Sequence, residues 1–490
     1  MNSEIEKVPK GWAWTSVGEI AYSINPGFPS GRHNKENRGI PHLRPMNINA
    51  KGEIDLTDLK YVEPEDYDAL IKGDVLFNNT NSPKLLGKTA YIKLDTNWAY
   101  SNHMTRIRIS DFLLNPAWVS SCLHTLFLSG YFSMHCVHHV NQASVSSSFL
   151  SEKVFIPLPP LPEQHRIVAK IEELFTRLDA GVEALKKIKA QLKRYRQAVL
   201  KHAFEGKLTA EWRQAHQHEL ESASVLLERI CEERRKTTKG KYKELPPLDT
   251  SGLPELPEGW AWTRVGDISE AIQYGYTASS TSEPAGPRML RITDIQNSSV
   301  DWDIVPYCRI AAEEKSKYLL KDGDLVFART GATVGKSFLI RDTIPESVFA
   351  SYLIRIALFR HINKAYVYSF FQSHDYWMQI YERQLGIGQP NVNSQTLSRI
   401  SVPLPPILEQ HRIVEEIERR FSIADEIEKI VDHNLKQAER LRRSILKRAF
   451  EGKLVPQDPN DEPAEKLLER IREQRVKQIA EKRATASRVK

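Results

Sequence analysis

Three groups of residues in this 490-residue chain have types and spacings that invite chemistry. The first is Gly331-Ala332-Thr333-Val334-Gly335-Lys336-Ser337. A phosphate-cradling loop needs four residues between its glycines, so that successive backbone N–H groups wrap the phosphates. Three stand here, and the corresponding stretch upstream has Ser82 and Pro83 with no glycine before them. A tight turn between strands fits better than a nucleotide site. The second group is the Pro-Pro pairs. Methyl transfer to an exocyclic amine uses an Asp/Asn/Ser-Pro-Pro-Tyr/Phe segment to hold the amino group, yet each pair here follows a leucine: Leu158, Leu245 and Leu404. Gly386-Ile387-Gly388 is too short and isolated for a cofactor loop. The third group is His135, His138 and His139, which lack acidic or thiolate partners at ligand spacing. Cys122, Cys136, Cys231 and Cys308 form no CxxC pair, so no zinc site is expected and four scattered thiols fit a reducing compartment. The residues argue against catalysis by this chain.

What remains is a set of polar, Gly-punctuated loops. Arg, Asn and Gln are the side chains that read base edges with paired hydrogen bonds, while Lys, Ser and Thr suit phosphates. One such loop holds Arg32, Asn34 and Lys35. A second holds Asn78, Asn79, Asn81 and Lys84, and its counterpart later in the chain holds Arg329, Thr330 and Thr333. A third holds Gln142, Ser144 and Ser146, matched by Gln389, Asn391 and Asn393. A fourth holds Tyr274, Tyr276 and Thr277. Arg44 and Arg291 match each other across the two halves, so they suit a common frame or phosphates rather than base choice.

The elements that must position these loops occur twice. Residues 9–20, PKGWAWTSVGEI, return at 257–268 as PEGWAWTRVGDI. Residues 157–175, PLPPLPEQHRIVAKIEELF, return at 403–421 as PLPPILEQHRIVEEIERRF, and LKHAFEGKL at 200–208 returns as LKRAFEGKL at 446–454. Between these shared segments most of the sequence has diverged. Short apolar runs such as Ala90-Tyr91-Ile92 and Leu353-Ile354-Arg355-Ile356, broken by Gly, Pro and Asn, predict strand-rich α+β modules with helices near 116–129 and 362–372.

After each module a proline brake leads into a long helix. Pro162 and Glu163 suit a first turn, and Gly206 and Gly452 suit the ends. The first seam runs Ile167, Ile171, Leu174, Leu178, Val182, Leu185, Ile188, Leu192, Tyr195 and Val199, a narrow coiled-coil stripe. The second runs Ile413, Ile417, Phe421, Ala424, Val431, Ala438, Leu441 and Ile445, with Asn434 where the first has Ile188, a place for a register-fixing buried polar residue. Packed antiparallel, about 40 residues at 1.5 Å each give a rod of roughly 60 Å, against about 34–36 Å for one DNA turn. Charged helices are predicted at 209–236 and 461–483. The net charge of +7 lies in the helical segments, +4 in 157–256 and +3 in 403–490, and both modules are neutral. Bulk charge is therefore weak evidence for nucleic acid.

The paired Glu-Gln-His-Arg-Ile-Val segments at 163–168 and 409–414, the Ala-Phe-Glu-Gly-Lys-Leu helix ends, and the Gly11-Trp12 and Gly259-Trp260 openings resemble the specificity subunits of type I restriction–modification systems, over nearly the whole chain. The resemblance implies an α+β protein in which two target recognition domains, 1–156 and 257–402, are separated by two long antiparallel coiled-coil helices within helical regions 157–256 and 403–490. Each domain would read one half of a split DNA target. The helices would set the spacing and dock two adenine methyltransferase subunits, with Glu163, Gln164, Arg166, Glu409, Gln410 and Arg412 as docking candidates. Two translocase–nuclease subunits would join. No cofactor is expected on this chain; S-adenosylmethionine, ATP and Mg belong to the partners. The residues alone also fit a scaffold whose heads bind protein or RNA. With no apolar run long enough for a membrane span and no apolar leader after Met1, a cytoplasmic protein is expected.

Overall fold

The structure is a computed structural model that describes residues 8–29, 33–34, 36–63, 67–110, 112–238, 246–296, 299–383 and 392–488. It divides into two compact units, Met1–Leu185 with Asp432–Lys490, and Lys186–Val431. Each unit holds one head and one part of each long helix.

In the first unit the head is built on a four-stranded antiparallel sheet, in the order Ala21–Pro26, Met104–Ile109, Val75–Asn78, Thr89–Tyr91. In the second the order is Ser269–Tyr274, Leu353–Leu358, Leu325–Ala328, Ser337–Leu339. Both first strands carry a register shift at the same place, between Ala21 and Ser23 and between Ser269 and Ala271. Beyond a buried first residue these edge strands are only partly covered or exposed, whereas Val75–Asn78 and Leu325–Ala328 are buried throughout, as central strands covered on both faces should be. A helix packs beside each sheet. Asn115 caps Pro116–Leu128, accepting from the Ala117 N–H, and Asn363 caps Lys364–Phe370, accepting from the Tyr366 N–H.

A two-stranded clasp closes each head. Ala13–Ser16 pairs with Phe155–Leu158, and Ala261–Arg264 pairs with Ser401–Leu404. The clasp delivers the chain to the long helices, Leu161–Phe204 and Ile407–Phe450, of 44 residues each. Gly206 and Gly452 adopt φ of +68° and +63°, where L side chains are strained. A Cβ on Gly206 would also collide with Pro257, and one on Gly452 with Pro9, so the helix ends sit directly against the module openings.

Within each unit the two helix segments run antiparallel. In the first, Ile167 and Ile171 share a core with Ile445, Leu446 and Ala449, and farther along Asp179 meets Arg442 at 2.6 Å. In the second, Val199 and Phe204 share a core with Ile413 and Ile417, and Arg196 meets Asp425 at 2.6 Å and Glu428 at 2.9 Å. Much of the expected seam is buried, including Ile167, Ile171, Leu192 and Val199 on the first helix and Ile413, Ile417, Ala424, Val431 and Ile445 on the second. Ile188, Tyr195 and Leu441 are exposed. Asn434 is exposed too, so it is not the buried register residue its position suggested. Charged pairs mark the register instead, supported in the first unit by Arg442 lying 4.0 Å over the Phe175 ring.

The charged helices differ in detail from the periodicity. The 209–236 stretch breaks into Ala210–Ala215, a 3-10 turn Gln217–Glu219, and Ala223–Thr238. The His216 ring bonds back to the Trp212 carbonyl, and the Ala223 N–H donates to Gly259 O, which starts a new helix against the second module's opening. Likewise Ala464 N–H donates to Gly11 O at the head of Ala464–Arg488. A further helix, His374–Arg383, follows the 364–370 helix without a sequence signal being read for it. Ser373 initiates it by accepting from the Tyr376 N–H.

His124, in the Pro116–Leu128 helix, is buried with its ring between Thr89 N–H and Ala50 O. Desolvation pushes its pKa down to about 4. An imidazole held neutral in the fold stabilises fully above its unfolded value near 6.5 and loses that contribution as pH falls toward the folded value. Denaturation of the first unit is therefore expected to ease between pH about 6.5 and about 4, by on the order of 3 kcal/mol from this residue. His124→Gln should flatten the pH dependence of the melting temperature in that window. An unchanged slope would count against the assignment.

Candidate nucleic-acid interface

The backbone brings several of the polar loops together, by the same hydrogen bonds in both heads. In the first, Asn79 N–H donates to His103 O at 3.1 Å and Val145 N–H donates to Asn79 O at 2.9 Å. In the second, Arg329 N–H donates to Tyr352 O at 3.1 Å and Val392 N–H donates to Arg329 O at 3.0 Å. The second and third loops of each head are thus neighbours. In the first head they also pair as strands, Thr80–Asn81 with Ala143–Ser144, and a hairpin through Val137–His138 extends that sheet. In the second head the fourth loop joins them. Ser394 N–H donates to the Tyr274 hydroxyl at 3.0 Å, and the Arg329 guanidinium lies 4.7 Å over the Tyr274 ring.

The individual side chains divide by what the fold already asks of them. Asn78 and Asn79 are buried. The Asn78 amide donates to Leu85 O, and that of Asn79 donates to Asn102 O and to Thr105 Oγ1 at 2.8 Å. Both hold the loop base and offer a duplex nothing in this arrangement. Ser146 and Asn393 cap short helices, accepting from the Phe149 and Thr396 N–H groups. Asn34 is tied to Arg38 and Tyr61, on a separate strand group from the other loops. Tyr276 joins a small core, its ring 5.2 Å from that of Tyr318. Ser144 bonds with His139, and the side-chain Oδ1 of Asn81 accepts from Ser82 N–H. Lys84, Gln142 and Thr277 are exposed, and Thr330 and Thr333 half-buried around the Gly331–Thr333 turn. Arg32, Lys35, Gln389 and Asn391 lie outside the described residues.

The near-P-loop segment is the turn between Leu325–Ala328 and Ser337–Leu339. A Cβ on Gly335 would strike the Trp377 ring, just as one on Gly87 would strike Phe132. Among the described residues no group of three His, Cys, Asp or Glu side chains could hold a metal ion. Sequence reasoning passed over Tyr352, which is 63% exposed beside Arg329, and Val140, fully exposed at the hairpin tip. Neither has a periodic signal, because their turns carry no face to alternate with.

The six docking candidates are placed differently from one another. Glu163, Gln164, Glu409 and Gln410 have essentially no exposed surface. Trp12 Nε1–H donates to Glu163 Oε2 at 2.9 Å, and Trp260 Nε1–H to Glu409 Oε2 at 2.8 Å. Gln164 accepts from Asn115 N–H and donates to Pro159 O, and Gln410 does the same with Asn363 N–H and Pro405 O. The repeated Glu-Gln pair therefore bolts a head to its helix from inside, and leaves no side-chain surface for a partner. Burial pushes the Glu163 carboxyl above its ordinary range, against the pull of the indole N–H and of Arg166. Arg166 pairs with Asp461 at 2.6 Å, and Arg412 pairs along its own helix with Glu415 and Glu416. Both arginines keep over a third of their side chain in solvent.

Comparison with known proteins gives the family and the fold. Residues 9–194 and 257–437 match the family described as the type I restriction modification DNA specificity domain. The chain belongs to that family. It is 26% identical to the type I restriction enzyme EcoKI specificity subunit of Escherichia coli K12, over 96% of this chain and 97% of that one. It is also 26% identical to the EcoBI specificity subunit of Escherichia coli, over 95% and 92%. The HsdS subunit of Thermoanaerobacter tengcongensis shares the fold, with a TM-score of 0.53 at 19% identity, over 92% of this chain and 99% of that one. A chain from a structural study of assembly and conformational transition of the type I R-M system aligns with a TM-score of 0.61 at 20% identity, over 91% and 100%.

Glu409 has two further partners, Thr209 Oγ1 at 2.7 Å and Arg213 at 3.2 Å. Trp12→Phe should accordingly destabilise its unit by about 1–3 kcal/mol, the cost of an under-satisfied buried carboxylate, and Trp260→Phe by less. Urea denaturation followed by circular dichroism orders the two, and the reverse order would refute the bolt.

Proposed function

We propose that each head reads one half of a bipartite DNA target, while the two long helices set the gap and offer their outer faces to adenine methyltransferase subunits. As a member of the specificity family the chain is the sequence-determining, non-catalytic component of a type I restriction–modification complex. The observation that carries the reading is the family match falling once on each head, with the polar loops gathered at the same backbone positions in both. The heads are taken as 1–156 and 257–402, with helical regions 157–256 and 403–490. Two methyltransferase and two translocase–nuclease subunits complete the assembly, and S-adenosylmethionine, ATP and Mg reside on them. Arg166 and Arg412, with their outward surface, remain the docking residues of the helix starts. Lys84 and Gln142 belong to the reading surface of the first head, and Thr277, Arg329, Thr330 and Thr333 to that of the second.

Neutral heads supply few phosphate contacts, so the partner subunits closing around the duplex provide most of the affinity and its salt dependence. The isolated chain should bind its target more weakly than about 10⁻⁸ M at physiological salt, by fluorescence anisotropy. Tighter binding would refute that division of labour. The direct test is co-purification with the cognate methyltransferase followed by mapping of methylated adenines. A split motif with a fixed gap is expected. One heptad inserted in both long helices, near Ile188 and Asn434, adds about 10 Å of helix. It should lengthen the gap by about three base pairs and leave both half-sites unchanged. An unchanged gap would remove the rods from the role of spacer.

A further inference from the structure

We infer that Arg329 reads a guanine in the half-site of the second head, its guanidinium held in place by the Tyr274 ring. The inference rests on the proposed function and adds a base identity to it.

Three observations converge. First, the guanidinium is stacked rather than spent. It lies 4.7 Å over Tyr274, whose hydroxyl is fixed by the Ser394 N–H. Its Nε is buried, which leaves the two terminal nitrogens as the donors a ligand could meet, and among the described residues no side-chain hydrogen bond or ion pair engages Arg329. Neighbouring arginines of the same head are committed to the fold: Arg288 to Asp303 O and Val305 O, Arg291 to Asp294, and Arg355 to Leu319 O and Gln273. A guanidinium held on an aromatic face, with its terminal nitrogen pair uncommitted, is preorganised for a planar, two-acceptor target.

Second, the ground beside it is open. Gly331 has φ of +77°, and a Cβ there would meet nothing within 4 Å. A nucleic-acid backbone can approach that turn closely without displacing protein.

Third, the position differs between heads while its frame does not. Asn79 occupies the same node of backbone hydrogen bonds, but its amide is buried against Thr105 and Asn102. A phosphate contact serves any sequence and gives two heads no reason to differ. A base contact does. Among base edges, the O6 and N7 acceptors of guanine in the major groove match the guanidinium fork.

The test uses the complete complex of this chain with its methyltransferase partner. Its methylated motif is mapped first, and each guanine of the motif is then replaced in turn by 7-deazaguanine, which lacks the N7 acceptor. Loss of roughly 5- to 150-fold in binding is expected at one guanine of one half-site. In Arg329→Ala that substitution should no longer matter, the methylation motif should relax at that position alone, and the other half-site should be unchanged. Arg329→Lys, which keeps charge but not the fork, should behave like Arg329→Ala, and it decides the matter should the alanine variant fail to assemble. Tyr274→Phe should retain guanine preference, and Tyr274→Ala should weaken it. A motif without a guanine in either half-site overturns the inference. So does an Arg329 variant that keeps full discrimination, or one that weakens binding equally on all sequences, as a phosphate contact would. In each of those cases the bipartite reading stands. A wild-type complex that methylates no split motif defeats that reading itself.

Discussion

A carboxylate taken out of water has to be met by donors, and that requirement fixes where each head sits on its helix. Glu163 and Glu409 stand in the first turn of the long helices, fully buried, and each is met by the indole N–H of the tryptophan that opens its head. The donors come from the residue just before the clasp strand at one end of the head, and the acceptors come from the helix that leaves it at the other. The next residue, Gln164 or Gln410, ties the same turn to the capped end of the head's own helix. A head cannot pivot on its helix without unmaking several buried bonds at once. A reading surface is useful only if its orientation is set, and here it is set before any loop is reached.

Above that anchorage, backbone bonds carry the design of the heads. The two sheets share strand order, a register shift and the node at which the polar loops meet, although most side chains differ. Because main-chain groups do the positioning, the side chains at the node are free to diverge. Asn79 is absorbed into the fold where Arg329 is held out on an aromatic ring.

The sequence disclosed the architecture through repetition. The proline brakes, the Glu-Gln-His pairs, the terminal glycines and the long apolar stripes located both helices nearly to the residue. It also marked loops that do meet in space. It could not separate, within one loop, the asparagine that points outward from the one that closes a turn, since the types are the same and the difference lies in tertiary partners. Asn78 and Asn79 illustrate this. The Glu-Gln pair misled for a related reason. Charged and polar residues at a helix start read as surface, yet here they are the inner bolts. The break at His216 was hidden as well, because the carbonyl that captures the Ala223 N–H belongs to Gly259, far along the chain.

The division of the chain into units has a consequence for synthesis. The second unit, Lys186–Val431, is a continuous stretch and can close as it leaves the ribosome. The first draws on Met1–Leu185 and on Asp432–Lys490, so its earlier-made segment waits for one made more than two hundred residues later. Until then Trp12, Trp118 and Ile167 lack the apolar cover of Ile445, Ala449, Leu467 and Ile471. A nascent chain carries that apolar face uncovered while the whole second unit is made, the kind of exposure that invites aggregation.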